Sequence, residues 1–235
     1  MVGELRDGHP AAGRDVKKFF RDNGLSIVSF GLFLIFFVGM SLTGLREYNH
    51  EQEDHGQPPA TYGEYLTSGE FLEITMENWE SEFLQMALYV ILTAFLFQRG
   101  SAESKDPDGK EEVDRDPRKS KDPNAPWPVK RGGVVLKLYE NSLSIAFTLL
   151  FLGSMLLHAR GGAEDYNEEQ LTHGSAETVT TFGYMKTSRF WYESFQNWQS
   201  EFLAVFAIVF LSIFLRQRSS PESKPVDAPH SQTGE

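Results

Sequence analysis

Two nine-residue stretches, "NWESEFLQM" from Asn78 and "NWQSEFLAV" from Asn197, carry the same polar side chains at the same spacing. On a helix, Asn78, Ser81, Glu82 and Gln85 fall at i, i+3, i+4 and i+7, one polar stripe on one face. Asn197, Ser200 and Glu201 repeat the stripe, with Ala204 in place of the glutamine. Each stripe stands where an apolar run begins. A carboxylate at the edge of hydrocarbon needs water, a cationic partner or a proton, so Glu82 and Glu201 are candidates for a paired cation or proton site. Arg46, His158 and Arg160, at the outer ends of two further apolar segments, are the candidate charge partners. The plainer expectation is preferred: Asn, Ser and Glu hydrogen-bond across a helix interface and fix packing. Trp79 and Trp198 suit the interfacial belt, where an indole sets the depth of a helix.

A second duplicated pattern, "YNHEQEDHG" from Tyr48 and "YNEEQLTHG" from Tyr166, places Glu51 and His55, and Glu169 and His173, four residues apart. A carboxylate and an imidazole from each copy form a candidate divalent-metal set. The competing expectation is that Tyr48 and Tyr166 with Asn49 and Asn167 end a helix and form a turn. In "TYGEYLTS" and "TFGYMKTS", Thr67 with Glu70 fits a capping box, and Gly63 and Gly183 permit a tight turn. Helices are expected to follow, with Phe71, Phe190, Trp191 and Tyr192 at headgroup level. No phosphate loop, dinucleotide fingerprint or nucleophile elbow occurs, so an enzyme is not expected. No cofactor is expected beyond that divalent metal. With no Cys in the chain, disulfides, thiolate metal sites and thiol catalysis are excluded.

Four apolar segments must position these residues. Leu25 to Leu45 is 21 residues without a charge, enough to span about 30 Å of hydrocarbon. The others lie between Glu82 and Arg99, Glu140 and His158, and Glu201 and Arg216. They are shorter; the second reaches about 24 Å, which puts its glutamate at or just inside the outer hydrocarbon boundary. "FLAVFAIVFLSIFL" from Phe202 has Ser212 as its one polar residue, whereas a soluble helix normally keeps a polar face. The first segment is too long for a secretory h-region and is read as a retained span.

Of the 22 Lys and Arg residues, 18 lie in 1–24, 99–140 and 216–235. The positive-inside rule then puts both termini and the central linker in the cytoplasm, with loops 46–82 and 158–201 outside. Those loops hold 17 of the 33 acidic residues in a chain of net charge −11, so nucleic acid is not an expected partner there. The basic inner flanks suit anionic lipid headgroups.

The chain is a tandem duplication. "RDNGLSI" from Arg21 pairs with "YENSLSI" from Tyr139 at an offset of 118, and "TYGEYLTS" with "TFGYMKTS" at 120. "NWESEF" pairs with "NWQSEF" at 119, and "QRGSAESK" from Gln98 with "QRSSPESK" from Gln217. The expected organisation is a flexible segment 1–15, repeat unit 16–99, a disordered linker 100–133, repeat unit 134–218 and a disordered tail 219–235. With two spans per copy, both copies share one orientation, as in parallel-repeat membrane proteins. The linker's Asp, Glu, Lys and Pro leave little to bury.

Together "NWESEFLQMA", "FQNWQSEFLAV", "YNEEQ", "DPNAPWPVKRGG" and "SIFLRQRSSPESKP" resemble a family of bacterial membrane proteins of unknown function, from about Val16 to Lys224. The resemblance implies a bacterial plasma-membrane location and brings no activity or functional residues. The fold expected is an all-α membrane protein: four transmembrane helices as two tandem parallel repeats of a helical hairpin, with short helices in the outer loops. The expected role is non-enzymatic, structural or interacting. The lipid bilayer is the partner, and homo-oligomers are compatible with it. A small cation or proton transporter and an outer-face metal-binding or sensing module are the alternatives.

Overall fold

The structure, a computed structural model, describes the backbone of residues 11–175 and 177–234, with side chains from Val16 onward. Among the described residues every regular element is helical. The α-helices are α1 (Ala11–Asp54), α2 (Tyr62–Leu66), α3 (Gly69–Phe95), α4 (Trp127–Arg131), α5 (Gly133–Glu140), α6 (Ser142–Thr172), α7 (Thr181–Tyr184) and α8 (Ser188–Leu211). Of the segment 1–15 expected to be flexible, residues 1–10 lie outside the described residues, and α1 covers the rest.

Among the described residues two helices, not four, are long and apolar enough to cross a membrane: α1 over Val16–Asp54, and α6. The second and fourth apolar segments form only the C-terminal parts of α3 and α8. The N-terminal parts of those helices carry Glu70, Glu73, Glu77, Glu80 and Glu82, and Arg189 and Glu193. A single helix therefore starts in charge and ends in hydrocarbon-like sequence, and neither half decides its surroundings alone.

The chain divides into two compact units between Thr67 and Ser68. In the first, α1 turns back through a short loop to α2. Asn49 clamps that loop: its Nδ2 donates to the Ala60 carbonyl at 3.1 Å, and its Oδ1 accepts from the Ala60 N–H at 2.7 Å. Thr61 caps α2 in a reciprocal box with Glu64. Tyr62 and Ser41 share a hydrogen bond of 2.8 Å, and the buried Tyr65 ring lies so close to Gly44 that no Cβ fits there.

In the second unit α3 and α8 run parallel to one another and antiparallel to α6. Phe83 meets Phe147 at 6.5 Å and Phe151 meets Trp198 at 6.1 Å between ring centroids. Gln85 Nε2 donates to the Glu201 carbonyl at 2.8 Å. The tightest approach is between α3 and α6, made by glycines. A Cβ at Gly69 would stand 2.6 Å from the Asp165 backbone nitrogen. One at Gly161 would stand 2.8 Å from the Gly69 carbonyl, and closer still to the Glu73 nitrogen. The loop into α8 repeats the first unit's clamp. Asn167 Nδ2 donates to the Val179 carbonyl at 2.9 Å, and its Oδ1 accepts from Val179 N–H at 2.7 Å.

Three expectations change in detail. Tyr48, Asn49, Tyr166 and Asn167 do not end their helices, which continue to Asp54 and Thr172; the Asn side chains reach across to the returning loop instead. Thr67 is the C-cap of α2, its hydroxyl donating to the Gly63 and Glu64 carbonyls, and Ser68 caps α3. The loop pairing is 119 rather than 120: Thr180 is the N-cap equivalent to Thr61, and Tyr184 packs on Gly162 as Tyr65 does on Gly44.

The segment 100–133, expected as disordered chain, carries two 3-10 turns (Glu112–Asp114 and Pro117–Lys119) and α4. Its start joins the tail through polar groups, which a count of apolar residues does not register. Lys224 is buried, and its ammonium donates to the carbonyls of Gly100, His230 and Gln232. Gly234 N–H donates to the Ser101 carbonyl at 3.0 Å, and the Ser101 and Ser212 hydroxyls are 3.0 Å apart.

Since backbone cannot yield as a side-chain tip can, Gly161→Ala is expected to cost about 1–3 kcal/mol. Gly153 on the same helix has nothing within 4 Å of an added Cβ. Gly153→Ala should leave stability unchanged or slightly raised. Thermal unfolding of the two variants in one detergent checks the contrast.

Candidate functional site

The glycine contact sets the spacing between the N-terminal part of α3 and the middle of α6, and ionisable side chains from α3, α6 and α8 gather beside it. His158 on α6 is 0% exposed. Its Nδ1–H donates to Glu80 Oε2 on α3 at 2.8 Å, and its Nε2 faces Glu193 Oε2 on α8 at 3.4 Å. Glu80, also 0% exposed, accepts at its other oxygen from the Trp198 indole N–H at 3.1 Å. The His158 ring also stacks on Phe190, with centroids 4.8 Å apart.

Two turns toward the N-terminus of α3 from Glu80, Glu73 is buried against α7. The Tyr184 hydroxyl lies 2.7 Å from Glu73 Oε1 and 2.7 Å from Glu193 Oε2. A phenol has one proton to donate, so it satisfies only one of two charged carboxylates at a time. Arg189 gathers the rest: Nε donates to Glu193 Oε1 at 2.9 Å, one terminal nitrogen to Asp165 at 2.8 Å and the other to Glu169 at 2.7 Å. It stands 4.0 Å from Glu73 Oε2. Glu77, half-buried, accepts from Asn197 Nδ2.

The electrostatics follow from burial with too few cations. Burial pushes the Glu73 carboxyl up to about 8, only partly offset by the Tyr184 hydroxyl, with Asp165 and Glu193 adding to the rise. Burial likewise raises Glu77. Burial also works against the charge of Glu193, but hydrogen bonds from His158, Tyr184 and Arg189 outweigh it and hold that carboxyl below the usual range. Each carboxylate's state is therefore set by how many donors reach it.

Several of the residues singled out from the sequence fall in or beside this cluster, and others do not. His158 joins it, paired with Glu80 and Glu193 instead of Glu82 or Glu201. Trp198 enters through its indole N–H and Asn197 through Glu77. Asn78, Ser81 and Ser200 bond to carbonyls of their own helices, at Ile74, Asn78 and Asn197. Glu82 is exposed; it lies near enough to Glu201 for mutual repulsion, and Gln85 binds the Glu201 backbone. Trp79 is half-buried and meets Phe83 edge-on. Arg160 pairs with Glu164 on its own helix at 3.0 Å, and Arg46 is exposed on α1. His55 and His173 each donate from Nδ1 at 2.8 Å to a backbone carbonyl one turn earlier, that of Glu51 and of Glu169. Those imidazoles cap the last turns of α1 and α6.

A family model matches the chain over residues 16–235. The chain belongs to the family described as Domain of unknown function (DUF6766). No curated protein and no solved structure is found to match it.

Membership in DUF6766 assigns no residue a role, so the cluster stands on its geometry. Glu73, Glu80, Glu193 and Arg189 were not legible in the repeated motifs because they stand where the two copies differ. Their counterparts are Tyr192, Gln199, Ile74 and Glu70, and that of His158 is Met40. The available signal was charge present in one copy and missing from the other.

Glu80→Gln turns an amide N–H₂ toward one of two buried donors, His158 or Trp198, and is expected to cost about 3 kcal/mol. Glu82→Gln, at an exposed position two residues on, should change stability by less than about 0.5 kcal/mol. Denaturation midpoints of both variants against the parent decide between the two glutamates.

Proposed function

We propose that this chain is a non-enzymatic integral membrane protein with a structural or interaction role in the bacterial plasma membrane. Its four apolar segments insert, with the termini and the 100–133 linker on the cytoplasmic side. The ionic cluster of the second unit then lies at the outer surface, where it clasps three helix ends together. One observation carries the reading: His158, buried on an apolar helix, is held between glutamates from two other helices.

Supporting features come from independent levels. Two helices have the length and composition of spans. On α1, Phe30, Phe33 and the half-buried Phe37 stack in a ladder, with Phe30 and Phe33 exposed where lipid would cover them. Basic residues concentrate in the segments assigned to the inside and acidic ones in the loops assigned to the outside. Each donor in the cluster joins different helices, which is the work of a clasp; a catalytic arrangement would aim groups at a shared open space. At Glu82 and Glu201, the Gln85 contact favours helix packing over an ion path.

The absence of Cys gives a clean background for accessibility mapping. Ser120→Cys, in the linker, and Ser175→Cys, between α6 and α7, are introduced one at a time. A membrane-impermeant maleimide on intact cells should label position 175 and spare 120, and permeabilised cells should label both. Equal or inverted labelling in intact cells overturns the arrangement.

A further inference from the structure

The clasp contains more acid than its own cations neutralise. Glu73, Glu77, Glu80, Glu193 and Asp165 converge on Arg189 and one imidazole. Buried carboxylates in excess require protons or a metal ion. The arrangement at His158 distinguishes between these.

We propose that Glu73, His158 and Glu193 bind one divalent transition-metal ion, with Glu80 as the positioning residue that orients the imidazole. The proposal rests on the clasp described above and names its occupant. One ligand atom from each of the three residues lies within 4.8 Å of the other two. The 3.4 Å between His158 Nε2 and Glu193 Oε2 is long for a charged hydrogen bond. It matches the separation of about 3.3 Å between neighbouring ligands of a tetrahedral ion with bonds of about 2.0–2.1 Å.

The supporting shell is already built. Metal-bound histidines donate their second ring N–H to a carboxylate, which fixes the tautomer and the ring plane. Glu80 takes that proton from Nδ1, and the Trp198 indole holds Glu80 in turn. Nε2 faces Glu193 at 3.4 Å, and a metal bound there replaces the proton that Nε2 holds toward that carboxylate. Ligating carboxylates also need donors, and the Tyr184 hydroxyl supplies one to either Glu73 or Glu193. Arg189 occupies the far oxygen of Glu193, Oε1, leaving Oε2 on the His158 side. An imidazole with two carboxylates and no thiolate suits zinc, manganese or iron better than calcium or magnesium.

The test uses the full chain purified in detergent, stripped with a chelator and dialysed. Zn²⁺ titrated calorimetrically at fixed pH should bind at one ion per chain and raise the unfolding temperature. Co²⁺ should give the intense visible absorption of a tetrahedral site, a readout that needs no variant. Glu73→Gln, Glu193→Gln and His158→Asn should abolish the one-to-one binding. Glu80→Gln should weaken it by about 10- to 100-fold while keeping the stoichiometry. The double variant His55→Ala/His173→Ala should bind as the parent does. Absence of stoichiometric binding and of the Co²⁺ bands in the folded parent protein overturns the proposal. So does binding lost only in the His55/His173 variant. Either result leaves the helix clasp standing with protons as its cations, whereas inverted maleimide labelling removes the membrane arrangement without touching metal affinity.

Discussion

The close approach of α3 to α6 is the constraint from which the rest of the second unit follows. Gly69 and Gly161 bring backbone against backbone, and Gly162 leaves the room that the Tyr184 ring and the Glu73 carboxylate occupy. Helices at ordinary separation keep their side chains between them. Here the axes come near enough at one end for Glu73 and Glu80 of α3 to reach groups set by α6. The apolar C-terminal parts of the same helices then pack through aromatic pairs such as Phe83 with Phe147. A small-residue contact that close is what permits a polar cluster to be both dense and buried.

Duplication explains much of the architecture and little of the site. Both copies carry an Asn clamp, a Thr-capped short helix and a tyrosine packed on a helix glycine. These are backbone solutions, and a sequence repeat preserves them because each depends on one or two residue types. The presence of the helices was therefore legible, while their caps and ends were displaced: Thr67 closes α2, and α1 and α6 run past Tyr48 and Tyr166. The division of the chain was not, because a hairpin read along the sequence says nothing about which long helix its second arm joins. The 118-residue offset of the glycines and the 119-residue offset of the caps hide a shift that only the Tyr65 and Tyr184 contacts expose.

The site escaped a reading based on repetition for a physical reason. A repeated polar residue marks what both copies need, such as a side-chain bond to its own helix backbone, and Asn78, Ser81 and Ser200 make bonds of that kind. A charge cluster needs complementary groups on different helices, so its members cannot all be copied without placing like charges opposite one another. His158 replaces a Met, Glu193 an Ile and Arg189 a Glu relative to the first copy. The first unit has the neutral version of the same corner, in which Ser41 and Tyr62 hydrogen-bond beside the Tyr65 ring.

That contrast bears on why the second corner is ionic. A neutral corner closes a helix–loop junction without burying charge, and the first unit shows that this chain has such a solution. Replacing it with carboxylates, an imidazole and a guanidinium adds desolvation that Coulomb attraction seldom more than balances. Stability alone therefore gives no reason for the substitution. A cluster whose net charge depends on what it binds does give one, because its hold on three helix ends then varies with occupancy. Lys224, caged by carbonyls where the linker meets the tail, is different: its ammonium is satisfied by fixed backbone acceptors. The junction around His158 is where acid in excess of its donors converges on an imidazole.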